Sequence, residues 1–176
     1  MLLSKSELER YSRHLLLPEM GVDGQKRLKS ASVLVVGAGG LGSPLILYLA
    51  AAGIGKIGIL DFDNVDKSNL QRQIIYRDDD VGYSKVQRAA VHANQLNPDI
   101  RIEKHETRIV AENAIDIISQ YDLVVDGSDN FATRYLVNDA CVFLKKANVH
   151  GAIYRFEGQA SVFSHDDGPC YRCLFP

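Results

Sequence analysis

The stretch VLVVGAGGLGSP, residues 33–44, joins an apolar run to a cluster of glycines. Its four leading apolar residues predict a buried strand, and the turn that follows carries Gly37, Gly39 and Gly42 at the spacing G-x-G-x-x-G. The next residues, LGSPLILYLAAAG, predict a buried helix, which tolerates Pro44 because that residue falls in the first turn. Glycines between a strand and a helix let free N–H groups approach a phosphate. The stretch therefore predicts a nucleotide-binding turn and leaves the nucleotide open.

Outside this stretch, short β-branched runs alternate with longer helical patterns. This alternation is typical of an α/β fold with a Rossmann-like, mostly parallel sheet and helices on both faces. Strands are predicted at Ser32–Val36, Lys56–Leu60, Ile100–His105, Leu123–Val125 and Ala147–His150, and further helices at 84–98, 111–119 and 131–145. The polar opening predicts an N-terminal helical extension. Residues 155–164 alternate apolar and polar side chains, as in antiparallel strands added near the C-terminus.

Composition and charge narrow the class of protein. The chain has 20 Lys and Arg against 22 Asp and Glu, so no basic field points to a nucleic-acid or membrane partner. Its charged N-terminus lacks the apolar core of a signal peptide, and three cysteines offer no disulfide framework. We therefore expect a cytoplasmic protein of one domain that binds neither nucleic acid nor membrane.

Asp61 is the second candidate for nucleotide binding. It follows the next predicted strand, nineteen residues beyond Gly42, where a carboxylate accepts hydrogen bonds from a ribose. A NAD-dependent oxidoreductase would carry the same glycines and the same acid. The choice of nucleotide therefore depends on other residues, because a triphosphate under attack needs cations directed at its phosphates.

Such cations occur in the long connection of residues 61–85, DFDNVDKSNLQRQIIYRDDDVGYSK. Asn69, Arg72 and Gln73 fall within one helical turn, and Lys85 begins the following helix. Each charge taken alone is typical of a solvated surface. Their gathering in one connection, which is long for a compact domain, favours a polyphosphate ligand.

Further candidates lie outside that connection. VVDGSDN places Asp129 and Asn130 at a helix start beyond the carboxyl end of a strand, where ligands bind in open α/β sheets. Both residue types fit a helix N-cap, and a carboxylate there equally fits a Mg²⁺ ion held between phosphate oxygens. Arg13, in RYSRH, is an additional cation candidate.

The segment CYRC gives Cys170 and Cys173 the two-residue gap of paired zinc ligands. One such pair is half of a tetrahedral site, and a redox pair or two incidental cysteines fit the pattern as well. Cys141 lies in the apolar run NDACVFL and is predicted to be a core residue.

Six ordered motifs together resemble one family. GAGGLGSP, DFDNVDKSNLQRQ, VGYSKV, VVDGSDN, EGQASVF and GPCYRCLFP follow one another as in the adenylating enzymes of the ThiF/MoeB group, relatives of the ubiquitin-activating enzymes. The resemblance implies an adenylyltransferase that uses ATP and Mg²⁺ to adenylate the C-terminal glycine of a ubiquitin-like sulfur carrier ending in Gly-Gly, releasing pyrophosphate. A sulfur donor such as a cysteine desulfurase or rhodanese would then form the thiocarboxylate, for molybdenum cofactor or thiamine biosynthesis.

The resemblance also implies roles for individual residues. The ATP site would comprise Gly37, Gly39, Gly40, Gly42, Asp61, Asp63, Asn69, Arg72, Gln73, Lys85, Asp129 and Asn130. Among these, Arg72, Lys85 and the Mg²⁺-linked Asp129 would be catalytic. Arg13 would be catalytic as well, and would reach the ATP site of the other protomer in a homodimer.

The resemblance covers essentially the whole chain and implies a single ATP-binding adenylation domain, residues 1–176. Residues 1–30 would be an N-terminal helical segment, 31–150 the nucleotide-binding core, and 151–176 the start of a carrier-binding and zinc region. Relatives carry a second C-x-x-C further along, so we expect a truncation after Cys173 that removes half of a structural zinc site, any reactive cysteine and any rhodanese domain. The alternatives are a NAD-dependent oxidoreductase with a Rossmann fold and a catalytically silent partner subunit.

Overall fold

A computed structural model describes residues 2–176, which form six strands and eight α-helices. The strands are β1 Ser32–Val36, β2 Lys56–Asp61, β3 Arg101–Glu106, β4 Leu123–Asp126, β5 Ala147–Tyr154 and β6 Glu157–Phe163. The helices are α1 Lys5–Arg10, α2 Ser12–Leu15, α3 Gly21–Ser30, α4 Gly42–Ala52, α5 Lys85–Leu96, α6 Ala111–Ser119, α7 Phe131–Leu144 and α8 Tyr171–Leu174. Short 3-10 turns at Lys67–Asn69 and Asp78–Asp80 interrupt the long connection between β2 and α5.

The strands form one sheet in the order β3-β2-β1-β4-β5-β6. The first five strands are parallel, and β6 pairs antiparallel with β5. The chain leaves β1 toward β2 on one side and later returns to β4 on the other side. The crevice at the carboxyl ends of β1 and β4 is therefore the topological switch point, where open α/β sheets bind ligands. The predicted fold class is confirmed.

Two apolar clusters cover the opposite faces of the sheet. Val33 and Val35 of β1 pack with α4 and α5, whereas Leu34 and Val36 pack with α6 and α7. Successive side chains of a strand point to opposite faces, so a strand covered on both sides needs an unbroken apolar run. This requirement explains the VLVV sequence, and it fixes the glycine turn at the carboxyl edge of the sheet.

The predicted and observed elements differ most near the C-terminus. β5 continues past the predicted end at His150 to Tyr154 and forms one arm of the antiparallel pair. Residues 155–164 therefore supply one strand, β6, instead of several. The turn lies at Arg155 and Phe156, where Arg155 has a left-handed φ of 55° that suits a tight hairpin. Every helix within residues 2–176 is too short or too polar to cross a lipid bilayer.

Candidate nucleotide-binding site

A cavity of about 360 Å³ lies at the carboxyl ends of β1, β2 and β4, at the switch point of the sheet. Its walls come from the glycine turn and from the connections after β2, β3 and β4. The predicted site residues that line this nucleotide cavity are Gly37, Gly39, Gly40, Asp61, Asp63, Asn69, Arg72, Gln73, Lys85, Asp129 and Asn130. The fold thus brings together residues that are far apart in the chain.

The glycine turn presents unpaired backbone donors to this cavity. Gly37 has a φ of 88°, which glycine adopts without strain. A Cβ at Gly42 would stand 1.9 Å from the Gly37 oxygen, so Gly42 allows the close packing of α4 on β1 and lies outside the cavity lining. The N–H groups of Gly39 and Gly40, which line the cavity, have no acceptor within the described chain. Free donors at the start of a helix are a ready site for phosphate.

Asp61 ends β2 with a buried carboxylate that is fixed beside the glycine turn. Its Oδ2 accepts the Ala38 N–H at 2.8 Å, and its Oδ1 accepts the Asp63 N–H at 2.9 Å. Each oxygen keeps a further lone pair, because an ionised carboxylate has about four acceptor positions. The remaining acceptors fit the hydroxyl groups of a ribose.

Lys85 is the most enclosed cation of the cavity. Its side chain is 7 % exposed, and Nζ lies 3.0 Å from Oδ2 of Asp63, whose side chain is 50 % exposed. The Lys85 N–H also donates to the Asp63 carbonyl at 3.0 Å, which ties the start of α5 to the residues after β2. The ammonium group is therefore positioned before any ligand binds, as electrostatic stabilisation of a reacting phosphate requires.

Arg72 and Gln73 lie against the glycine turn. Cδ of Arg72 is 3.6 Å from the point that a Cβ of Gly40 would occupy, and Nε2 of Gln73 is 3.8 Å from the corresponding point at Gly39. Gln73 is buried, and its Oε1 has no hydrogen-bond partner within residues 2–176. A buried acceptor without a partner costs free energy. Gln73 is therefore a good candidate for contact with a bound ligand or its water.

Asp129 and Asn130 have different surroundings. Oδ1 of Asn130 accepts the Thr133 N–H at 2.9 Å and caps α7, so the N-cap interpretation is correct for Asn130. Asp129 is exposed at the cavity, and its Oδ1 is 3.4 Å from Nδ2 of Asn130. Because it neither caps the helix nor forms an ion pair within the described chain, the Asp129 carboxylate is available to a cation.

Phe62 and Arg108 line the cavity but were not predicted from the sequence. The Arg108 guanidinium carbon lies 4.0 Å from the centre of the Phe62 ring, in a cation–π arrangement. The two residues follow the carboxyl ends of β2 and β3, which is the one signal in the sequence that could have revealed them. Together they offer a flat surface for a base beside the Asp61 carboxylate.

Besides Gly42, three predicted residues lie outside the nucleotide cavity. Arg13 is exposed on α2 and does not line it.

Cys170 and Cys173 bring their sulfur atoms to 3.6 Å, close to the separation of about 3.8 Å that two thiolates take on one tetrahedral zinc. No group of three His, Cys, Asp or Glu suited to a metal is found within residues 2–176, so this remains a half-site. Burial opposes ionisation of Cys170, but hydrogen bonds from the Cys173 backbone and thiol lower the pKa of Cys170.

The doubly wound sheet, the glycine turn and the charged cavity at the switch point define a nucleotide-binding α/β domain. The ThiF family matches residues 11–176, and the chain belongs to that family.

Two relatives and one solved structure extend this comparison. The chain is 61 % identical over 178 residues to the probable adenylyltransferase/sulfurtransferase MoeZ of Mycobacterium tuberculosis, covering 99 % of this chain and 45 % of MoeZ. It is 54 % identical over 178 residues to the sulfur carrier protein adenylyltransferase of Thermus thermophilus, covering 98 % and 66 %. E. coli tRNA N6-threonylcarbamoyladenosine dehydratase, TcdA, in complex with ATP has a TM-score of 0.81 at 28 % identity, covering 86 % of this chain and 63 % of TcdA. The chain thus spans only part of the length of these proteins.

Proposed function

We propose that the chain is a single ATP-binding adenylation domain that adenylates the C-terminal glycine of a ubiquitin-like sulfur-carrier protein and releases pyrophosphate. The names of the two relatives support this, since both are adenylyltransferases and one acts on a sulfur carrier. The acyl-adenylate would then be converted to a thiocarboxylate by a sulfur donor such as a cysteine desulfurase or rhodanese. Molybdenum cofactor or thiamine biosynthesis would use that product.

One observation carries the proposal: the glycine turn shares its cavity with the cations Arg72 and Lys85 and with the carboxylate of Asp129. Arg72, Lys85 and Asp129 line the same cavity as the free N–H groups of Gly39 and Gly40. A dinucleotide pyrophosphate is largely satisfied by the start of a helix, whereas a triphosphate carries more charge and needs further cations. The cavity therefore favours ATP over NAD.

The residues of the cavity fit an attack at the α-phosphorus. The carrier's terminal carboxylate is already ionised at neutral pH and needs no general base. The protein's task is then to align the carboxylate with ATP and to stabilise the charge on the departing pyrophosphate. Lys85 and Arg72 supply positive charge, and the free backbone donors of Gly39 and Gly40 hold phosphate oxygens. Asp61 holds the ribose.

Asp129 is the residue that fits Mg²⁺. Its carboxylate is exposed at the cavity and takes no part in the α7 cap. Oxygen ligands of this kind, completed by phosphate oxygens and water, are those that Mg²⁺ prefers. When bound, the ion would neutralise phosphate charge. Asp129 would hold it beside the cations of the connection.

We further propose that the active form is a homodimer. An apolar cavity of about 810 Å³ lies between α4 and the face of β5 and β6 that no described helix covers. Tyr48 and Ile153 line it and are 76 % and 64 % exposed. Large exposed apolar surfaces mark interaction sites, which supports a second copy at this face. Arg13 is exposed and lies outside its own cavity, as expected for a residue that serves the partner's site.

The test is ATP–pyrophosphate exchange with a panel of purified carriers that end in Gly-Gly. We expect labelled pyrophosphate to enter ATP only in the presence of Mg²⁺ and one or more of these carriers. Each carrier truncated by its terminal glycine is the matched control, because it removes the nucleophile and keeps the fold. Absence of exchange with every carrier, together with thermal stabilisation by NADH and not by ATP, would favour an oxidoreductase.

A further inference from the structure

Tyr76 is a buried residue of the long connection, and the proposed function gives it no role. It is 5 % exposed, and its hydroxyl donates to the Ala38 carbonyl at 2.8 Å. The N–H of the same Ala38 donates to Asp61 at 2.8 Å. Both backbone polar groups of Ala38, at the centre of the glycine turn, are therefore held by side chains.

The Tyr76 hydrogen bond determines where the next N–H points. The Ala38 carbonyl and the Gly39 N–H belong to one planar trans peptide and point in opposite directions. Fixing the carbonyl therefore fixes the N–H. Gly39 lines the nucleotide cavity, and its N–H has no acceptor within the described chain. Without the hydroxyl this peptide would have more freedom to rotate, because glycine permits a wide range of φ.

We propose that Tyr76 is a positioning residue whose hydroxyl orients the Ala38–Gly39 peptide so that the Gly39 N–H donates to a phosphate oxygen of the bound nucleotide. This inference rests on the proposed function, since it takes ATP as the ligand. Tyr76 does not itself line the cavity, and it acts only through the peptide.

The surroundings keep the hydroxyl in place and protonated. The Tyr76 ring belongs to the apolar cluster that includes Val65 and Ile75, so the fold itself fixes its position. Burial raises the pKa of Tyr76 well above its ordinary value, and the charges of Asp61, Asp80 and Asp63 raise it further. The hydroxyl is therefore protonated, and able to donate, at neutral pH.

The variant Tyr76→Phe tests the proposal because it removes the hydroxyl and keeps the ring. We expect roughly two- to tenfold weaker binding of ATP, the loss of about one hydrogen bond, and unchanged binding of adenosine. Tyr121→Phe is the matched control. Its hydroxyl is also buried, donates to Glu103 at 3.0 Å and lies away from the cavity, so its loss should leave ATP binding unchanged. Calorimetric titration of each protein with adenosine and with ATP plus Mg²⁺ measures the difference.

The outcomes separate this inference from the proposed function. Wild-type protein that binds no ATP overturns the proposed function and the Tyr76 role with it. Wild-type binding with equal ATP affinity in Tyr76→Phe, or equal weakening for adenosine and ATP, overturns the Tyr76 role alone. An NMR titration of the wild type covers the case in which the variant does not fold. The Gly39 amide should shift with ATP and not with adenosine, and an amide that ATP leaves unmoved contradicts the proposal.

Discussion

The nucleotide cavity and the cysteine segment, residues 170–173, both begin from a short sequence motif, but within the described chain only the first gathers residues from other parts of the sequence. The glycine turn meets residues from three further connections, because the parallel strands end at the same edge of the sheet. The cysteine pair lies at a single short helix and finds no third metal ligand within residues 2–176. A motif at the strand ends thus meets other ligand-binding residues because the fold brings the strand ends together. A pair of cysteine ligands, in contrast, needs two more metal ligands from another segment of the chain.

The cysteine segment is nevertheless well anchored. The Tyr171 N–H donates to Oδ1 of Asn138 at 2.7 Å. Arg172 forms a bidentate salt bridge with Asp139, in which both hydrogen bonds are 2.7 Å long. The Tyr171 ring also packs on Phe163, with ring centres 5.7 Å apart. These contacts join α8 to α7 and β6 without any metal, so the segment is held by the protein itself.

Among the variants of these two regions, Asp129→Ala should change activity most. If Asp129 holds Mg²⁺ in a complete site, its loss should lower carrier-dependent ATP–pyrophosphate exchange by about 100- to 1,000-fold, a size typical of losing charge stabilisation in a transition state. The fold should survive, because Asp129 is exposed and does not cap α7. Asp116→Ala, an exposed carboxylate within α6, is the matched control. Exchange at a near wild-type rate in Asp129→Ala would contradict the Mg²⁺ role.

Arg13→Ala should be similarly inactive if Arg13 serves the partner's site. Mixing the Arg13→Ala and Asp129→Ala proteins should then restore up to about a quarter of the wild-type rate, since random pairing gives one intact site in each mixed dimer. Mixed samples that stay inactive would argue that Arg13 does not act across a dimer interface.

The next largest effect separates two glycines of the same turn. Gly42→Ala should lower the free energy of unfolding by about 2 kcal/mol or more, because its Cβ would collide with the Gly37 carbonyl. Gly39→Ala should change that free energy by less than about 0.5 kcal/mol, since its Cβ would meet its nearest neighbour at 3.8 Å. It should still weaken ATP binding by crowding the phosphate. Urea unfolding and ATP titration of both variants measure this, and equal stability of the two would contradict the packing role of Gly42.

Most residues that line the cavity can be predicted from the sequence, because the patterns that indicate them lie within short stretches of the chain. The glycine spacing, the acid after β2 and the cations of the connection can all be found within short windows. The Arg108–Phe62 pair and the Tyr76–Ala38 bond depend on which strands are neighbours and on how the connection folds back, which no local period encodes.

The burial of Asp80 is another feature that the local sequence does not reveal. Three consecutive acids, residues 78–80, are typical of a solvated surface, yet Asp80 is fully buried. It accepts hydrogen bonds from Arg88, from the Arg77 N–H at 2.8 Å and from His92 Nε2 at 2.7 Å. Only the packing of the connection on α5 distinguishes this carboxylate from its two neighbours.

The smallest effect is expected at the cysteine segment. Cys170→Ser, or treatment with a zinc chelator, should change the ATP binding free energy by less than about 0.5 kcal/mol, because neither cysteine lines the nucleotide cavity and α8 is held by Asn138 and Asp139. Cys141→Ser is the informative contrast. Burial raises the pKa of Cys141 to about 12, and a hydroxyl in that apolar site should cost about 1–3 kcal/mol of stability. A large loss of ATP affinity in Cys170→Ser would mean that the cysteine segment and the nucleotide cavity are energetically coupled. Helix α7 is the structural link between them, because its first residues follow Asp129 and its later residues Asn138 and Asp139 contact α8.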